Sequence, residues 1–147
     1  MMDELYAYRR RLLERYYGVV DDLAARSESI SSEPSASGLR QTLMHLLEVE
    51  ERVFYPAIQR IMHEESPALP VLGTEGGQSA PQLEKRLPEL LATYARMHTR
   101  MVQLFESQPP KVWGRTGRHP IYGVRTLQWW LERSLNYVVQ HLKKHPC

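Results

Sequence analysis

Four long stretches of this chain carry apolar residues at three- and four-residue intervals, and none alternates apolar with polar residues as a half-buried strand does. From Asp3 to Arg26 the stripe is Leu5, Tyr8, Leu12, Tyr16 and Leu23. From Leu39 to Glu64 it is Leu43, Leu46, Leu47, Val53, Ile58 and Ile61, with Pro56 expected to bend the helix because proline lacks a donor and crowds the preceding turn. A third helix is expected over Pro81 to Glu106, with Pro88 able to move its regular start later, and a fourth over Arg125 to Lys144, stopped by Pro146. The breaks are rich in turn formers. They are a serine-rich linker over 27–38 ending in an N-cap at Ser35 or Ser37, a loop over 66–80 ending in a helix start at Ser79 and Pro81, and a loop over 108–124. Four such helices predict an all-α four-helix bundle, one domain over residues 1–147.

Composition narrows the function classes. At 147 residues the chain is long enough to bury a real core without staples. Lys plus Arg number 19 against 17 Asp plus Glu, so no nucleic-acid partner is expected, and the short runs Arg9-Arg10-Arg11 and Lys143-Lys144 read as solvated helix faces. With Cys147 the lone cysteine there is neither an internal disulfide nor a thiolate metal cluster, and no apolar run has the length of a signal peptide or a membrane span. The expectation is a cytoplasmic protein without a membrane partner.

Any metal site would therefore be built from imidazole and carboxylate. The histidines are His45, His63, His98, His119, His141 and His145. His45 and His63 are 18 residues apart, about 27 Å along one helix, and cannot share an ion. Trp130, Ser134, Tyr137, His141 and His145 fall along roughly one strip of the fourth helix, where an i, i+4 pair such as His141 and His145 can hold a metal, although His near a helix C-terminus is also favoured by the helix dipole. Spacing alone does not single out His45, since one His on the inner edge of a helix is more often a hydrogen-bonded core residue than a ligand.

The segments LRQTLMHLLEVEERVF (39–54) and HPIYGVRTLQWWLERSLNYVVQHLKK (119–144) resemble the second and fourth helices of the DinB/YfiT-like family. The resemblance implies a four-helix bundle in which helices two and four run antiparallel, joined by a long crossover between helices two and three. It also implies a three-histidine metal site, with His45 and His141 as two of the ligands. The third falls at position 137, which is Tyr137 here. Three repairs follow: Tyr137 ligates as a phenolate, His145 or Glu48 shifts in, or a Tyr–His hydrogen bond replaces the metal. The last is preferred, because two imidazoles alone hold such an ion poorly and a neutral phenol needs no ion to be satisfied.

The expected cofactor is thus none, or one divalent ion (Zn, Ni or Mn) where the site is intact. Trp113, His119, Tyr122, Trp130 and Ser134 are candidates to shape a pocket for a small molecule or thiol. The preferred function is a DinB-like protein with a degenerate His site. The alternative is a metal-dependent thiol transferase or hydrolase using His45 and His141. The large aromatics Trp129 and Trp130 and the tyrosine-rich first helix predict a homodimer face.

Overall fold

The computed structural model describes residues 2–29, 33–70 and 86–143. Its helices are α1 (Met2–Ser29), α2 (Glu33–Val49), a π-helical turn (Glu50–Phe54), α3 (Tyr55–His63), α4 (Leu87–Glu106) and α5 (Leu127–Lys143). Since α2, the π turn and α3 are continuous, the described helices form four rods.

The bend expected at Pro56 takes the form of a widened turn. A proline at 56 removes its own donor and drives its ring toward the Arg52 carbonyl. The turn just before it relaxes to π geometry, in which the Tyr55 N–H donates to the Glu50 carbonyl oxygen, and the helix continues. The same turn buries both Glu50 and Phe54.

Several boundaries differ from expectation: the first helix runs on to Ser29, into the segment read as a linker, and Arg125 and Thr126 belong to a strand, so the fourth helix begins at Leu127. The second helix starts at Glu33 rather than Leu39, so Ser35 and Ser37 lie inside it and are not N-caps. Pro34 explains this, because proline in a first turn gives up a donor that has no intrahelical partner anyway. The regular third helix begins at Leu87, with Pro88 in its first turn, while the starts read at Ser79 and Pro81 lie outside the described residues. The segment read as a loop over 108–124 holds a 3₁₀ turn (Pro110–Gly114) and part of an antiparallel hairpin, β1 (Thr116–His119) with β2 (Gly123–Thr126). Gly123 has φ +76°, a conformation glycine adopts without strain, and His119 Nδ1 accepts from the Ile121 and Tyr122 N–H groups to close the turn. Thr126 then caps α5, its Oγ1 accepting from Trp129 N–H at 3.1 Å.

Rod directions follow from who faces whom. His45 meets His141, while Phe54, later in its rod, meets the earlier Trp130, so the second rod and α5 are antiparallel as expected. Tyr16 bonds Ser134 and Arg26 bonds the Leu142 carbonyl, so α1 and α5 are parallel. Tyr16 meets His98, and Leu23 shares a small cavity with Leu91, so α4 runs opposite to α1. The second rod and α4 are then parallel, the arrangement that the expected crossover between helices two and three requires. One hydrophobic cluster joins all four rods, from Leu12 and Tyr16 through Leu43, Leu47 and Ile58 to Tyr94, Trp130 and Leu142.

Candidate functional site

Antiparallel packing brings the last turns of α2, near the middle of the second rod, against the last turns of α5. His45 and His141 have ring centroids 5.1 Å apart, and Tyr137 stands between them and Phe54. His45 Nε2 and Tyr137 Oη are hydrogen-bonded at 2.6 Å. One turn on, His141 Nδ1 lies 2.9 Å from the Tyr137 carbonyl oxygen; donating there directs its Nε2 lone pair outward from its own helix.

The electrostatics favour neutral partners. Burial lowers the His45 pKa, as does the neighbouring His141, with Glu48 opposing. Burial raises Tyr137 above the ordinary phenol value, with Arg133 opposing and Tyr122 adding to the rise. At neutral pH a protonated phenol therefore donates to a neutral imidazole.

Whether these groups suit a metal can be tested by distance. Two imidazoles bound through Nε2 at about 2.1 Å to one tetrahedral ion place their ring centres about 5.2 Å apart, which His45 and His141 match. Two ligand atoms on such an ion lie about 3.4 Å apart, whereas His45 Nε2 and Tyr137 Oη approach to 2.6 Å. The pair is set as a hydrogen bond and would have to spread to share an ion. Among the described residues no three His, Cys, Asp or Glu side chains converge to hold a metal. Glu48 bonds Arg52 at 2.8 Å and does not complete a set with the histidines, and His145 lies outside the described residues.

The residues read as one pocket separate into three places. His119, Tyr122 and Trp130 pack together, with His119 stacked on Tyr122 at 4.6 Å and 5.6 Å from Trp130. Trp113 instead packs on Phe105 at 4.9 Å under the Arg9 guanidinium. Ser134 is fully buried and bonds Tyr16 inside the core. Periodicity puts Ser134 and Trp130 on the strip of Tyr137 correctly, but cannot say which neighbour each meets.

Sequence reading passed over a second polar group inside the bundle. Glu50 from the π turn, Tyr94 and His98 from α4 and Tyr16 from α1 are all buried. The His98 ring lies 4.8 Å from Tyr16 and 4.4 Å from Tyr94. Both His98 nitrogens, Glu50 Oε1 and Tyr94 Oη lack a hydrogen-bond partner. Burial alone pushes the Glu50 carboxyl up to about 8 and the His98 imidazole down to about 3, so both are uncharged near neutrality. The signal was weak, because Glu50 sits in the acidic run EVEE, which reads as a solvated face.

A family model described as the DinB superfamily matches residues 4–145. The chain belongs to the DinB superfamily. The fold of this DinB chain is similar to that of YfiT from Bacillus subtilis, described as a probable metal-dependent hydrolase with an unusual four-helix bundle topology. The TM-score is 0.75 at 17% identity, covering 92% of this chain and 82% of that one. No curated protein matches the sequence. No described helix is long and apolar enough to cross a membrane.

Proposed function

We propose that this DinB protein carries a degenerate version of its family's metal site, in which the Tyr137–His45 hydrogen bond takes the place of the third ligand and metal binding is weak or absent. The observation that supports this most is the 2.6 Å contact between His45 Nε2 and Tyr137 Oη. Three neutral imidazoles present three lone pairs to an ion, whereas the half-buried Tyr137 phenol presents a proton to one of the two remaining imidazoles. Ionising that phenol to a ligand would work against the burial that raises its pKa.

Replacing Tyr137 with His tests the reading. Positions 137 and 141 are one turn apart, so the substitution places a third imidazole beside His45 and His141. Calorimetric titration with Zn or Ni is expected to show about one equivalent bound by the variant, with affinity that falls below about pH 6.5 as the imidazoles take up protons. Adding His45→Ala abolishes the gain, because two ligands on one helix do not hold such an ion tightly. A Tyr137→His protein that takes up no more metal than the parent sinks the proposal that the other two corners persist.

The second reading is a metal-dependent thiol transferase or hydrolase of the family's kind. It is favoured by the 5.1 Å imidazole spacing and by the outward aim of His141 Nε2. Such an ion would lower the pKa of a bound water or thiol and so supply a nucleophile near neutral pH.

A further inference from the structure

We infer that the cleft between the start of α1 and the 105–114 segment is a binding site for a small amphiphilic carboxylate, separate from the His45–His141 site. Its volume is about 860 Å³, within the size range of pockets that hold organic ligands. Leu13, Phe105 and Trp113 form a buried apolar floor, while Leu5 and Tyr6 remain 39% and 65% exposed at its edge. Large side chains left in water around a concave apolar surface mark a place where something apolar docks.

Charge selects the occupant's polar end. Arg9, Arg10 and Lys111 line the cleft against a single acid, Glu106. Arg9 is held in place, its Nε donating to Gln128 at 2.8 Å, its Nη1 to the Pro110 carbonyl at 3.3 Å and its guanidinium lying 5.1 Å from the Trp113 ring centre. A fixed guanidinium beside two exposed cations suits a carboxylate, and the aromatic floor suits the apolar body behind it. The site is remote from the histidines. Gln128 and His141 are separated by about 20 Å along α5.

Fluorescence titration with 8-anilinonaphthalene-1-sulfonate, followed by displacement with decanoate or decanol, tests the assignment. Decanoate is expected to displace the dye at least about tenfold more effectively than decanol. The double variant Arg10→Gln, Lys111→Gln changes only exposed side chains and is expected to weaken decanoate by about tenfold while leaving decanol unchanged. Equal potency of acid and alcohol overturns the proposal, as does a double variant that binds decanoate like the parent. A dimer in sedimentation that Tyr6→Glu dissociates would make a second copy of the chain the occupant and overturn it as well.

Discussion

Glu50→Gln is expected to stabilise the protein at alkaline pH by roughly 3 kcal/mol and to leave it nearly unchanged below pH 4.5, where the carboxyl is protonated in both states. Unfolded, the carboxyl titrates near 4.5; folded, burial raises it to about 8. Between those values the unfolded chain releases a proton that the native protein keeps, so parent stability falls as pH rises through the window and levels off above about 8. The full shift corresponds to at most about 5 kcal/mol, and the buried Gln amide, with its own donors to satisfy, offsets part of it.

His98 has the opposite sign. Its pKa is about 3 folded against 6.5 unfolded, so it removes stability as pH falls through that range. The two slopes oppose each other between 4.5 and 6.5, where the parent is expected to be most stable. Thermal unfolding of parent and Glu50→Gln from pH 4 to pH 9 checks this, with a rise in Tm of about 5–10 °C for the variant at the alkaline end. A constant difference at every pH would mean that Glu50 is not held protonated in the core.

Trp130→Ala is expected to cost about 3–5 kcal/mol, lowering Tm by about 10–15 °C. The side chain is 1% exposed and meets Phe54 of the π turn at 6.5 Å, His119 at 5.6 Å, Tyr122 at 6.0 Å and Trp129 at 5.2 Å. Its removal therefore opens a cavity where the second rod, the hairpin and α5 meet, and that junction cannot collapse without moving one of the three. Trp130 Nε1 has no partner, so Trp130→Phe sacrifices no hydrogen bond and should lose only about 1–2 kcal/mol. Chemical denaturation separates the two outcomes. An alanine variant within about 1 kcal/mol of the parent would show that the aromatic junction contributes little.

The four rods were legible because a long amphipathic helix repeats its signal every turn, whereas the antiparallel meeting of His45 with His141 was implied only by the family resemblance. The hairpin was not legible. Strands of four residues with sequences TGRH and GVRT carry no usable alternation, and β2 shows no buried residue at all. The early start of α2 was hidden by serines, which favour turns in isolation, whereas Pro34 suits a first turn. Within the candidate site, a match by position identified Tyr137 as the odd corner, but only the fold shows it bonded to His45. The inward aim of Glu50 depends on the π turn before Pro56, a register shift of one residue that no periodic pattern contains.

Whether the Tyr137–His45 hydrogen bond stands in for a third metal ligand, as proposed, is decided by the metal content of the parent protein. The protein would be purified without an affinity tag, equilibrated with Zn, Ni or Mn, desalted and subjected to elemental analysis. Well under one equivalent of each ion, about 0.1 or less, is expected, since two imidazoles alone do not retain a divalent ion through desalting. About one equivalent, lost on Tyr137→Phe, would contradict the proposal and make the phenolate a ligand.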